Sequence, residues 1–117
     1  MIRPNLLAWQ RSLYPENHTT RLNLAIHLVT VPMFHMGLVT LVLSIVTLSA
    51  FTLLSAFIVL STTVVFQGVG HKREPTPPFP SGGILDMVSR LIVEQVVTFP
   101  RFVLSGGFIR AWLASRE

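Results

Sequence analysis

The 117 residues are 50% hydrophobic and only 12% charged, with a mean hydropathy of +0.61 and a formal charge of +4. A soluble domain carries about 25% charged residues, so the polar surface needed to face water on all sides is missing, and the length bounds the chain to one domain. With no cysteine, disulfides, thiolate metal ligands and cysteine nucleophiles are excluded. The basic excess favours a membrane surface with anionic lipids over nucleic acid, because the cations are scattered and lack interleaved aromatics.

Residues 1–21 read as a polar, partly helical interfacial leader. It contains Trp9 and Tyr14, aromatic types favoured at the membrane–water boundary. No small-residue cleavage site follows the apolar residues after Arg3, so a secretory signal is not expected. From Leu22 to His71 the chain has no Lys, Arg, Asp or Glu. A spanning helix takes about 20 apolar residues, so this gap holds two spans, placed at about 24–45 and 51–70. The least apolar stretch, Thr47-Leu48-Ser49-Ala50, is the expected turn. The spans and turn form a hairpin over 22–70.

Residues 71–83, HKREPTPPFPSGG, combine charges with four prolines and two glycines and read as a loop. Residues 84–99 fit an amphipathic helix. Ile84, Leu85, Val88, Leu91, Ile92 and Val96 form one stripe, and Asp86, Arg90 and Glu94 mark the other face. Pro100 is expected to end or kink that helix, and Gly106-Gly107 to break the next. A third full span over 91–113 would submerge Glu94, Arg101 and Arg110, which is costly. The expected fold is therefore all-α: an integral membrane hairpin of two spans with one or two amphipathic interfacial or re-entrant helices over 84–117. All nine Lys and Arg residues lie outside the hairpin, so both termini are expected on the cytoplasmic side.

The histidines carry the chemistry. At 1.5 Å per residue, about 20 residues separate His27 from the turn and about as many return the chain to His71. The two imidazoles are thus expected at one depth on neighbouring helices. Asn23 shares the face of His27 at i−4. His18 joins them only if the chain bends near Thr19-Thr20, as a helix start there allows. His35 lies about 12 Å deeper and reads as a packing or substrate-channel residue. Glu74 reads equally as an extra ligand or as the first charge after the span. Gln67 and Asn23 either orient ligands or bridge the two helices by hydrogen bonding. Lys72 and Arg73 read as interfacial anchors that would also suit a substrate carboxylate. Three neutral imidazoles with open positions suit Fe(II) or Zn(II), and residue type alone does not choose between them.

The pattern Tyr14-x3-His18-x4-Asn23-x3-His27-x4-Pro32, then Gln67-Gly68-x-Gly70-His71 and Glu74-Pro75, resembles the membrane family of 2-hydroxy fatty acid dioxygenases, to which the α-oxidation enzyme of phytosphingosine breakdown belongs. The tail EQVVTFPRFVLSGGF (94–108) is similar to the bacterial branch of that family. Here the glutamate follows His71 by three residues, one fewer than expected in eukaryotic members. The resemblance implies an Fe(II)-dependent oxygenase that uses O2 and turns a 2-hydroxy fatty acid into an acid or aldehyde one carbon shorter. It assigns His18, His27 and His71 as the metal-binding and catalytic histidines, with Tyr14 beside them. It also implies a lipid substrate and a bacterial inner-membrane location, and leaves homo-oligomer assembly open. Two other classes compete: a holin-like or channel-like two-span protein without enzymatic activity, and a bis-histidine haem anchor using His27 and His71.

Overall fold

The computed structural model describes residues 2–115. Helix α1 (Leu6–Leu13) passes through a 3-10 turn (Tyr14–Asn17) into the long helices α2 (Arg21–Thr47) and α3 (Ala50–Lys72). After the proline-rich loop come α4 (Ile84–Val93), a π-helical turn (Glu94–Thr98), α5 (Phe99–Leu104) and α6 (Gly107–Ala114). The described residues contain no strand.

Helices α2 and α3 form the expected hairpin, and both are long and apolar enough to cross a membrane. Thr20 and Ser49 cap their N-termini, each side-chain oxygen accepting the backbone N–H three residues on. The turn between them lies at Leu48, in the left-handed conformation and 90% exposed. Helix α2 thus begins at Arg21, a turn earlier than the sequence estimate. Helix α3 carries His71 and Lys72 in its last turn, so the loop starts at Arg73 and not at residue 71.

The burial pattern is inverted relative to a water-soluble bundle. Phe51, Phe57, Val46 and Met36 face outward, while Asn23, His27, Thr63 and Gln95 are fully enclosed. Lipid is as apolar as leucine, so polar contacts and close packing, not water exclusion, hold such helices together. This is the surface expected of helices that lie in a membrane. Its inner apolar cluster is small: Tyr14, Leu24, Val31, Phe99, Phe102 and Phe108.

The amphipathic segment follows the same inversion. Its apolar stripe points outward, with Ile84, Leu85 and Val88 exposed. Its polar face turns inward, with Asp86, Gln95 and Thr98 buried. Of the two expected outcomes at Pro100, the helix is distorted there and does not end. The preceding turn widens to i→i+5, the Phe99 N–H donating to the Glu94 carbonyl, and the chain runs on helically to Leu104. A wide turn suits a residue that lacks an N–H and crowds the carbonyl four residues back. The break comes at Gly106, where φ is 84° and the axis bends by 75° into α6.

Two glycines set the α2–α3 approach. A Cβ at Gly37 would lie 2.7 Å from a Leu60 methyl, and one at Gly70 would fall onto the Asn23 carboxamide oxygen and 3.3 Å from its Cα. Gly70→Ala is expected to force the helices apart beside His27 and His71 and to cost about 1–3 kcal/mol. Thermal unfolding in detergent measures that loss. An unchanged melting temperature would contradict the close approach.

Candidate metal centre

Three elements from distant parts of the chain meet at the end of the hairpin opposite its turn. The 3-10 turn delivers His18, the first turns of α2 deliver His27, and the last turn of α3 delivers His71. Their ring centroids lie 4.6, 4.8 and 5.0 Å apart, with each pair of rings nearly perpendicular. The expected bend at Thr19-Thr20 is present as the helix start of α2.

A fourth donor arrives from a residue that sequence reasoning placed on a polar helix face. Glu94 begins the π-helical turn, and its Oε2 lies 3.3 Å from both His18 Nε2 and His27 Nε2. One donor atom each from His18, His27, His71 and Glu94 falls within 4.8 Å of all the others. Spacing alone offers no signal for Glu94, which reads with Asp86 and Arg90 as an ordinary polar face.

Hydrogen bonding fixes which ring atoms are free. His18 Nδ1 donates to the Tyr14 carbonyl at 2.9 Å, and His27 Nδ1 donates to the Asn23 carbonyl at 3.0 Å. A carbonyl only accepts, so each Nδ1 carries a hydrogen, and in the neutral ring Nε2 is the atom left to bind. The two Nε2 atoms are 3.4 Å apart, facing one carboxylate oxygen. In addition, His71 Nδ1 is buried without a hydrogen-bond partner. One added proton would satisfy a single pair of these atoms, whereas one cation answers all four donors. The donor set of three imidazoles and a carboxylate fits Fe(II) or Zn(II).

Tyr14 supports the group from one side. Its ring stacks on His18 at 3.7 Å between centroids, and its hydroxyl donates to Glu94 Oε2 at 3.0 Å. Burial first, then the neighbouring Glu94 carboxylate, push its phenol well above the ordinary value of 10.0, so it remains a donor at neutral pH. A cavity of about 70 Å³ reaches Tyr14, His18, His71 and Glu94, walled also by Trp9, Phe79 and Arg90. That space admits a few water-sized groups.

The remaining sequence candidates lie outside the donor set. The Glu74 carboxylate accepts from the backbone N–H groups of Thr19 and Thr20, from both their hydroxyls, and from Asn23 Nδ2, at 2.8–3.1 Å. It therefore closes the N-terminus of α2 and is not a ligand. Asn23 serves the site through its backbone carbonyl on His27, while its side chain holds Glu74 and the Asn17 carbonyl. Gln67 exchanges paired amide hydrogen bonds with Gln95 and donates to Thr30. It bridges helices, as does His35, whose Nε2 meets the Gln95 carbonyl. Lys72 and Arg73 are exposed and absent from the cavity wall, where the cation is Arg90.

No family model, curated protein or solved structure matches the chain. The case for function rests on the site itself.

Burial alone would raise the Glu74 carboxyl, but the Thr19 and Thr20 N–H groups outweigh it and hold the carboxyl below its ordinary 4.5. A depressed native value stabilises the fold above the unfolded pKa and is lost as pH falls through the native one. Acidification from pH 6 to below 4 is therefore expected to lower the melting temperature more in the wild type than in Glu74→Gln. The variant should start about 1–3 kcal/mol less stable. Parallel pH curves for the two proteins would contradict the clamp.

Proposed function

We propose that this chain is an Fe(II)-dependent membrane dioxygenase that shortens a 2-hydroxy fatty acid by one carbon. The observation that carries the reading is the convergence of His18, His27, His71 and Glu94 on one point at the end of a membrane hairpin. An amphipathic acid presents its head at that depth, and the motif resemblance around the same histidines points to the same chemistry. The reaction balances as one 2-hydroxy acid plus O2 giving the shortened acid, CO2 and water. The C1–C2 bond breaks, and O2 takes up the four electrons.

Bound iron would supply the redox partner for O2 and a Lewis-acid seat for the hydroxy-carboxylate head. The chain's own residues do the rest. Tyr14 holds Glu94 in place through a neutral hydroxyl. Arg90 is the cation that borders the cavity and suits the substrate carboxylate. Its guanidinium donates to the Phe79 and Pro80 carbonyls, and Phe79 packs edge-on to Trp9 at 5.6 Å. This packing keeps the proline-rich loop over α1 and limits water at the site. An almost wholly apolar cleft of about 300 Å³ along α2 and α3, walled by Ile26, Val29, Met33 and Phe66, suits an acyl tail. By the positive-inside rule this end of the hairpin, with both termini, faces the cytoplasm of a bacterial inner membrane.

The ring spacing favours one ion over a haem. With all three imidazoles within 5.0 Å between centroids, no slot is left for a flat macrocycle between His27 and His71. A holin-like protein has no use for a converged donor set.

Purified protein is expected to hold about one Fe per chain. Metal should be lost in His18→Ala, His27→Ala and His71→Ala, sharply reduced in Glu94→Gln, and retained in His35→Ala. Tyr14→Phe should weaken metal binding or activity about 10–100-fold. Oxygen uptake should follow addition of 2-hydroxypalmitate and not palmitate. Full metal content in the triple histidine variant would end the proposal, and zinc in place of iron would redirect it to hydrolysis.

A further inference from the structure

Three arginines at this end of the molecule take no part in the metal centre. Arg11 of α1, Arg101 of α5 and Arg110 of α6 line one open cleft of about 650 Å³, on the far side of Tyr14 and His18 from Arg90. Arg73 is exposed and lies outside the cleft, and three other described arginines have partners. Arg3 lies over the Trp9 ring, Arg21 donates to Ser115 and to the Trp112 carbonyl, and Arg90 ties down the loop. Arg11 and Arg101 have no ion pair or hydrogen bond among the described residues, and Arg110 reaches only the Ser105 carbonyl, at 3.4 Å. Among the described residues no acidic side chain lines the cleft.

The sequence builds this arrangement deliberately in physical terms. Gly106 takes a φ of 84°, which turns the axis by 75° and sets Arg110 across from Arg101. Gly107 permits the tight return, since a Cβ there would lie 2.7 Å from the Phe102 ring. Three exposed guanidinium groups around one space repel one another and find no carboxylate among the described residues. An anion between them removes that cost, and Arg suits the oxygens of a phosphate through paired N–H donors. The volume exceeds what a lone phosphate fills and falls in the range of sites for larger ligands. The wall adds apolar Pro15, Phe102 and Ala111, suited to the glycerol and upper acyl carbons. The cleft lies at the end of two membrane-length helices, where lipid phosphates are found.

We propose that the cleft formed by Arg11, Arg101 and Arg110 binds the phosphate of an anionic phospholipid headgroup. The bound lipid fastens α1 and α6 together at the membrane surface. The cleft shares the walls of Tyr14 and His18 with the metal-side cavity, but its three arginines do not line that cavity.

The test is native mass spectrometry of the full chain released from nanodiscs. Wild-type protein should retain phosphatidylglycerol in preference to phosphatidylcholine, a comparison that needs no variant. Arg11→Gln, Arg101→Gln and Arg110→Gln should each reduce retention about fivefold. The double variant Lys72→Gln/Arg73→Gln removes charge from exposed positions outside the cleft and should leave retention unchanged. Equal retention of the two lipids, or equal loss in the Lys72/Arg73 variant, would overturn the proposal in favour of general surface attraction. In nanodiscs of phosphatidylcholine alone, inorganic phosphate bound with the same arginine dependence would overturn the lipid as source.

Discussion

The carboxylate of Glu74 is the contact on which the site depends. It sits just past the C-terminus of α3 and takes the free N–H groups of Thr19 and Thr20 at the N-terminus of α2. An anion at a helix N-terminus meets unsatisfied donors and a favourable dipole together. Because His18 precedes Thr19 and His71 lies three residues before Glu74, the same clamp that joins the helix ends brings two imidazoles side by side. His27, two turns into α2, then needs only the pitch of the helix to reach them.

Below the clamp the interior is polar, and every element of it serves alignment. Gln67 and Gln95 exchange amide hydrogen bonds across α3 and the π-helical turn, with Thr30 attached. Gln10 donates to the Arg90 carbonyl and accepts from the Thr98 hydroxyl, so α1 is tied to the same segment. In lipid these bonds supply directional attraction that apolar contact does not. They fix the rotation of the π-helical turn about its axis and so hold Glu94 toward the histidines. Support for the candidate donors thus comes from three layers: the Glu74 clamp, the carbonyls on Nδ1 of His18 and His27, and the amide bridge beneath.

Much of this was legible in the sequence because few physical rules governed it. An uncharged run from Leu22 to His71 allows two spans, and a helical rise of 1.5 Å per residue then returns His71 to the depth of His27. The bend that recruits His18 follows from Thr20 as a capping residue. Glu94 was not legible as a donor because Asp86, Arg90 and Glu94 at i, i+4 spacing look like an ordinary solvated face. In a membrane the solvated face is the inner one, and the π-helical turn before Pro100 depends on backbone geometry that side-chain spacing does not encode. Spacing left Glu74 open between a ligand and the first charge after the span. The unsatisfied N–H groups of Thr19 and Thr20, which take its carboxylate, are not visible in that spacing.

The central claim is that one ion takes ring nitrogens from both arms of the hairpin. X-ray absorption at the metal edge of purified, iron-loaded protein tests it most directly. The wild type should give a shell of nitrogen and oxygen scatterers at ~2.1 Å with outer-shell features of three imidazoles. His71→Ala should hold no iron to give such a spectrum. An imidazole count unchanged by His71→Ala, or a wild-type spectrum with a single imidazole, would contradict the account.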